Sequence, residues 1–168
     1  MYYYDISIDD AKHGKGSRVV LWVAGGSPEF PGSIDPSLLV KEEGVVFDSD
    51  AIATMVEYLG KDSIDGITLT GGDPLVDYNR DEVTTLAEFF KTVFPDKTIW
   101  LYTGGLWEDV KDLPVMEYVD VLVDGHYFSY LETSFRPYVS SSNQRVIDVS
   151  KSRECEKLVL YGEKALGQ

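Results

Sequence analysis

The sequence predicts an α/β protein with a mostly parallel sheet, folded as a partial barrel or as an open sheet. Apolar segments of strand length alternate with segments of helical periodicity, and four of the strand-like segments run into glycine-containing loops. Strand–helix alternation implies crossover connections and a parallel sheet. With 168 residues, the chain is too short for a complete eight-unit barrel, which needs about 250. That length also predicts a single domain over residues 1–168.

The first half of the chain contains two predicted strands and one predicted helix. Residues 18–24 form a nearly unbroken apolar run of the kind found in buried parallel strands, and residues 66–70 are a second such segment. Between them, Asp48 is suited to cap a helix that Gly60 ends. The apolar residues of this helix follow the i, i+3, i+4, i+7 spacing: Ile52, Met55, Val56 and Leu59.

The second half repeats the alternation. Asn79 and Glu82 have the spacing of a capping box, and the helix that follows them ends before Pro95. Its apolar face is formed by Val83, Leu86, Ala87 and Phe90. We expect the remaining elements to be strands over 98–102 and 119–123, a short helix over 107–111, an irregular loop over 127–143, and late strands over 145–149 and 157–161.

Charge and hydropathy exclude several classes of partner. The chain has 15 basic and 29 acidic residues, a formal net charge of −14, so free nucleic acid and anionic membranes would be repelled. No apolar run approaches the roughly 18 residues of a membrane-spanning helix. The first residues have no basic, apolar pattern of a secretory signal. We therefore expect a cytoplasmic protein that binds neither nucleic acid nor membrane.

Cysteine content limits the metal chemistry. Cys155 is the only cysteine, and the chain has two histidines. An intramolecular disulfide is impossible, and so is a zinc site of four cysteines or of three cysteines and a histidine. Acidic neighbours raise the pKa of a thiol, so we expect Cys155 to be an incidental residue and predict no metal site.

Polar and glycine residues follow four of the predicted strands. Because the carboxyl ends of parallel strands meet at one edge of a sheet, these residues are expected to form one small-ligand site. Arg18 and Arg136 could contact a carboxylate or phosphate, but we expect each to be an ordinary surface or salt-bridged arginine. The strand-end residues are Gly25 and Gly26, then Gly71, Gly72 and Asp73, then Thr103 and Gly104, and finally Asp124, Gly125 and His126.

The order of these segments resembles the family of activating proteins of anaerobic ribonucleotide reductase, small radical S-adenosylmethionine (SAM) enzymes. The resemblance implies a shortened partial (β/α) barrel, SAM as ligand and a ribonucleotide-reductase-like protein as partner. It extends from about Asp10 to Tyr161 and is carried by residues 19–25, 66–75, 99–104, 118–125 and 141–149.

The family's three cluster cysteines are all replaced. They lie in the loop after the first parallel strand and hold three irons of a 4Fe–4S cluster. Gly26, Phe30 and Ser33 occupy their positions here. Glycine and phenylalanine have no donor atom, and serine is a poor ligand for such iron. We therefore expect no iron–sulfur cluster and no radical chemistry.

The remaining site residues take their expected roles from the resemblance. The segment of Gly71, Gly72 and Asp73 would contact the amino group of SAM or a related adenosyl compound, together with Gly25. Thr103 and Gly104 would line the adenosine side. Asp73 has a structural alternative, since it could simply stabilise the turn before a proline. Asp124 and His126 complete the predicted ligand site.

His126 is expected to be a hydrogen-bonded residue on the rim of this site rather than a general base. The main functional hypothesis is a degenerate relative that acts as a binding or regulatory protein, with weak affinity for SAM or a nucleotide. Two alternatives stay open. One is an enzyme that uses SAM or a nucleotide in cluster-free polar chemistry. The other is an acidic scaffold that sequesters a protein partner.

Overall fold

The computed structural model describes residues 1–27 and 35–162. Their strands form one seven-stranded sheet in the order β3-β1-β2-β4-β5-β6-β7. The strands are β1 (Tyr2–Asp10), β2 (Arg18–Val23), β3 (Val45–Val46), β4 (Gly66–Gly71), β5 (Thr98–Tyr102), β6 (Val121–Asp124) and β7 (Arg145–Asp148). The α-helices are α1 (Ser49–Leu59), α2 (Arg80–Val93), α3 (Trp107–Val110) and α4 (Val149–Cys155).

The centre of the sheet is parallel. The strands β2, β4, β5 and β6 pair in parallel, while β1 and β3 continue the sheet in antiparallel pairing on one side and β7 does so on the other. The sheet has two ends and is not closed. The prediction of an α/β fold with a mostly parallel sheet, of the partial-barrel type, is confirmed.

The late strand predicted over 157–161 is wrong. Only Leu160 forms a bridge, to Ile147. The chain turns at Glu156, which has a left-handed backbone (φ 55°), and the N–H of Val159 then donates to the Ser152 hydroxyl over 2.9 Å. A side chain thus takes the hydrogen bond that a longer ladder would need.

Of the two predicted helix starts, one has the expected side-chain cap and the other does not. Asp48 accepts hydrogen bonds from the N–H groups of Asp50 and Ala51, as expected for a cap. The capping box at the start of α2 is wrong. Asn79 makes no side-chain cap bond; its Nδ2 donates instead to the carbonyl of Ala24 over 3.1 Å, while Glu82 pairs with the amino group of Met1. Asn79 therefore ties α2 to the end of β2.

Strand alternation gives the sheet two different faces. One face packs against the helices and forms the main hydrophobic core, with residues such as Leu21, Leu69, Leu101 and Leu122. The other, which we call the concave face, has a smaller core around Trp100. Along β2, β4 and β5 it is lined by Arg18, Val20, Trp22, Thr68, Thr70, Trp100 and Tyr102, which alternate with the core residues. In the described part of the chain, no helix is both long enough and apolar enough to cross a membrane.

Candidate functional site

Close backbone packing surrounds the glycines at the carboxyl end of β2. Gly25 has φ +102° and its N–H donates to the carbonyl of Leu38 over 2.8 Å. A Cβ atom on Gly72 would overlap the carbonyl oxygens of Gly25 and Leu38. A side chain at position 72 is therefore excluded by the protein's own backbone, through the 3₁₀ turn Pro36–Leu39.

Gly26, at which the resemblance places the first cluster cysteine, lies beside the same turn. A Cβ atom on Gly26 would lie 2.7 Å from Cδ2 of Leu39. Phe30 and Ser33 lie outside the described residues. Cys155 is exposed at the end of α4, a helix whose first N–H donates to the carbonyl of Asp120, at the opposite end of β6.

These residues do not fit a 4Fe–4S cluster. The chain supplies one thiol where three are needed. Within residues 1–27 and 35–162, no group of three or more histidine, cysteine, aspartate or glutamate side chains could hold a metal ion. No step that requires such a cluster can therefore be assigned to this site.

Asp73 is held by hydrogen bonds between two strand ends. Its Oδ1 accepts from the N–H of Leu75 over 2.9 Å, which closes the turn at Pro74. The Thr103 hydroxyl donates to both carboxylate oxygens, and the N–H of Gly104 donates to Oδ2 over 3.1 Å. Burial raises the pKa of Asp73, and the three donors oppose that shift. The turn-forming role is thus present, and the carboxylate also brings Thr103 and Gly104 to the same place.

Asp124 is fully buried and belongs to a different cluster. It accepts from the N–H of Trp107 over 2.7 Å, at the start of α3, and forms an ion pair with Arg145. Arg145 bridges Asp124 to Glu108 with Nη2–oxygen distances of 2.5 and 2.8 Å. This pairing raises the pKa of Arg145 and lowers the pKa of Glu108. Asp124 therefore holds α3 and β7 against the end of β6.

The strand-end residues border different spaces. Asp73, Thr103 and His126 line a cavity of about 530 Å³ between the sheet edge and α3, which we call the edge cavity. The ring of His126 packs edge-to-face on Phe128 at a centroid distance of 6.0 Å. Gly71 instead lines a cavity of about 410 Å³ on the concave face. Their roles in binding a ligand stay predictions.

Sequence reasoning missed the polar residues of the concave face. His13 and Thr70 line its 410 Å³ cavity with Trp22 and Tyr102. Thr70 is visible in the sequence only as one residue of a strand, and His13 only as part of a basic loop. The alternation of β4 was the signal for Thr70, since it places positions 68 and 70 on the face opposite Leu69.

Arg18 is neither a surface residue nor an ion-paired one. It is fully buried, and its guanidinium donates to the hydroxyls of Thr68 and Thr98 and to the carbonyls of Lys15, Ile67 and Thr98. No carboxylate lies within ion-pair distance of it in the described part of the chain. Burial lowers its pKa to about 10. Arg18 closes the amino-terminal end of the sheet, so the expectation of a surface or salt-bridged arginine is wrong.

Comparison with known proteins identifies relatives over most of the chain. The family described as "4Fe-4S single cluster domain" matches residues 12–147. The anaerobic ribonucleoside-triphosphate reductase-activating protein of Enterobacteria phage T4 is 40% identical over 146 residues, which covers 87% of this chain and 93% of that protein. The proteins of the same name from Salmonella typhimurium and Escherichia coli K12 are each 30% identical over 150 residues, 87% of this chain and 97% of theirs. No solved structure matches.

Proposed function

The chain belongs to the family of anaerobic ribonucleoside-triphosphate reductase-activating proteins, and from this premise we propose that it is a member without radical chemistry that acts by binding. Its partner is a protein like the anaerobic reductase that its relatives are named for. Its ligand is SAM or a related adenosyl compound, held weakly at the edge cavity.

The single cysteine carries the first part of this proposal. Three thiolates hold the cluster in the family, and Cys155 alone cannot replace them. A cysteine side chain at position 26 would require only the end of the Leu39 side chain to shift, so the loss of the cluster rests on the missing thiols and not on lack of space. Without the cluster, two chelating contacts to SAM are lost, so the remaining affinity is lower.

Asp73 supports the ligand part of the proposal. The residue is 8% exposed and borders the edge cavity together with Thr103. A buried carboxylate is a strong acceptor for an ammonium group. A ligand that carries both an ammonium and a purine would place the ammonium at Asp73 and extend along the cavity toward Val76 and Leu106.

Iron reconstitution tests the loss of the cluster. After anaerobic incubation with iron and sulfide, we expect no stoichiometric 4Fe–4S absorption or paramagnetic signal. The matched control is the triple variant Gly26→Cys, Phe30→Cys and Ser33→Cys, which should recover some cluster once Leu39 moves aside. A stable cluster in the unchanged protein would refute the proposal.

Ligand titration and partner capture test the remaining parts. SAM, S-adenosylhomocysteine and 5′-methylthioadenosine at millimolar concentration should raise the melting temperature, since a ligand at 100 times its dissociation constant adds about 2.7 kcal/mol. Product analysis after incubation with SAM should show no turnover. Co-purification with an anaerobic reductase tests the partner, and a reductase that fails to bind at micromolar concentration would contradict that part.

A further inference from the structure

We propose that the concave face of the sheet holds a second ligand site, which takes a nucleoside phosphate. Two adjoining cavities form it. The first, the aromatic cavity, is the 410 Å³ space lined by Trp22 and Tyr102, and it receives the nucleoside. The second, the cationic cavity, has about 470 Å³ and receives the phosphate. His13 and Ser140 line both. This inference goes beyond the proposed function, because Asp73 and Thr103 border a different cavity.

The cationic cavity has a charge opposite to that of the chain. Its lining includes Lys12, His13 and Arg136, and no carboxylate is among its described lining residues. The chain as a whole has 29 acidic and 15 basic residues. A local excess of positive charge in an acidic protein concentrates anions at that place. The serine hydroxyls of Ser134 and Ser140 add neutral hydrogen-bond donors.

The cationic groups are held in position by the protein. Nη1 of Arg136 donates to the carbonyls of Ser142 and Gln144, over 2.7 and 3.0 Å. In the described part of the chain its Nε and Nη2 make no hydrogen bond, and a guanidinium presents such groups to a phosphate as a fork. The carboxylate of Asp10, which contacts His13, already accepts from the N–H groups of Lys12 and His13 and from Nδ1 of His13. The second ring nitrogen of His13, Nε2, is left for a ligand.

The two threonines of β4 differ in whether the protein itself hydrogen-bonds their hydroxyls. The Thr68 hydroxyl accepts from Arg18 and donates to the carbonyl of His13, so its capacity is used by the protein. Thr70 is 7% exposed, lines the aromatic cavity, and its hydroxyl has no hydrogen-bond partner within residues 1–27 and 35–162. This hydroxyl is not one of the fully buried side-chain atoms that lack a partner, so it is open to the cavity and can bind a ligand or water.

The rest of the aromatic cavity fits a nucleoside. Trp22 and Tyr102 offer aromatic surface for a base. The carboxylate of Asp5 lies in the same lining; its Oδ1 accepts from the N–H of Ile6, and a carboxylate is a usual acceptor for ribose hydroxyls. The volume lies within the range of about 300–1,000 Å³ typical of small-molecule sites.

Calorimetric titration with adenosine 5′-diphosphate, adenosine and inorganic phosphate tests the site. At low salt we expect the diphosphate to bind at least tenfold more tightly than adenosine or phosphate alone. The double variant Lys12→Gln, Arg136→Gln should lower that affinity about tenfold, and added salt should weaken it. Thr70→Val should weaken adenosine and the diphosphate alike, about three- to tenfold. The matched control, Lys111→Gln with Lys157→Gln, makes the same charge change at a cavity that also contains acidic residues and should leave binding unchanged.

Three results would overturn the inference. They are equal affinity for adenosine and its diphosphate, unchanged binding in the double variant, and loss of diphosphate binding in Asp73→Asn, which would place the ligand in the edge cavity. The single variant Lys12→Gln is a control for disturbance of the loop that carries Arg136, because it leaves the Nη1 bonds of Arg136 intact. It should still lower the affinity for the diphosphate. If the unchanged protein binds the diphosphate but not SAM, only the proposed function is contradicted. If it binds SAM but not the diphosphate, only this site is contradicted.

Discussion

The two ends of the parallel sheet bury charges of opposite sign. At the amino-terminal end, Arg18 is fully buried and donates to threonine hydroxyls and backbone carbonyls. At the carboxyl-terminal end, Asp73 and Asp124 are buried and accept from backbone N–H groups, from Thr103 and from Arg145.

The backbone explains this difference. The carbonyls of Lys15, Ile67 and Thr98 reach Arg18, and such groups can only accept. The N–H groups of Gly104 and Trp107 reach the two aspartates, and such groups can only donate. A buried charge must be matched by hydrogen-bonding groups of the right kind. Arg18 and the two aspartates are thus matched by groups of opposite hydrogen-bonding kind, and substitutions of Arg18 and of the aspartates should fail for different reasons.

The largest effect is expected for Arg18→Met. The change keeps the volume roughly constant but leaves the hydroxyls and carbonyls around Arg18 buried without a donor. We expect a loss of about 3–5 kcal/mol in the free energy of unfolding, since several buried acceptors lose a donor at about 1–3 kcal/mol each. Urea denaturation measures it. Arg153→Met, which removes a single bond to the carbonyl of Met116, is the control and should cost about 1 kcal/mol.

Asp124→Asn should have the second largest effect. The amide can still accept from Trp107, but it no longer neutralises Arg145, which loses its buried partner and keeps Glu108. We expect a loss of about 2–3 kcal/mol, less than for a fully buried pair because Arg145 is 32% exposed. Thermal unfolding of the single variants and of the double variant with Arg145→Met gives the coupling energy. Additive effects would contradict the pairing.

Asp73→Asn separates binding from stability. The substitution keeps the turn geometry, loses the bond from Gly104, and removes the cost of burying a charge. These opposing effects should keep the stability change at neutral pH below about 1 kcal/mol. SAM affinity should fall about tenfold or more, since a charge-assisted bond contributes about 1.5–3 kcal/mol. Unchanged affinity together with a marked fall in melting temperature would show a purely structural role.

The pH dependence of Asp73→Asn has a defined sign. Because burial raises the folded-state pKa above the ordinary value of 3.8, the unchanged protein gains stability from protonation of Asp73, and that gain is lost as pH rises through the folded-state pKa. Asp73→Asn has no titrating group at this position, so it does not lose stability in this way as the pH rises. Its stability relative to the unchanged protein should therefore increase from pH 3 to pH 7, as measured by urea midpoints.

The smallest effect is expected for Glu108→Gln. Glu108 is 57% exposed and reaches the same Arg145 from outside, so solvent screening keeps its contribution below about 0.5 kcal/mol. Its pKa is lowered from 4.5 by Arg145. The stability that Glu108 contributes is therefore fully present above its ordinary pKa of 4.5. It disappears as the pH falls through the lowered pKa of the folded state. If Glu108→Gln lowered the free energy of unfolding as much as Asp124→Asn, burial would not determine the order of these effects.

The sequence predicted the parallel centre of the fold better than its margins. Apolar runs at 18–24 and 66–70 specified buried strands directly, because both faces of such strands are covered. The strand Tyr2–Asp10 was not predicted, because its side chains are mostly half-buried and carry no clear apolar alternation. The segment 157–161 has the composition of a strand, but a serine side chain takes part of its hydrogen bonding.

The sequence predicted where the site residues lie, but not which residues they pair with. Strand ends correctly placed Asp73 next to Thr103 and Gly104. The sequence could not show that Asp124 pairs with Arg145, because that pairing depends on β7 returning antiparallel to β6. Nor could it show that Arg18 points into the sheet, since a basic residue at the start of a strand is usually solvated.

The Arg18 network also constrains how the sequence can change. Positions 18, 68 and 98 share one set of hydrogen bonds, so an apolar residue at position 18 removes the donor to both threonine hydroxyls and leaves Thr68 only its bond to the carbonyl of His13. Substitution of either threonine by valine leaves a donor of the arginine unsatisfied. Single replacements are therefore disfavoured in either direction, and relatives that lack the arginine should carry apolar residues at all three positions. The carbonyl of His13 depends on Thr68 as well, so such a change would also release the loop that carries Lys12.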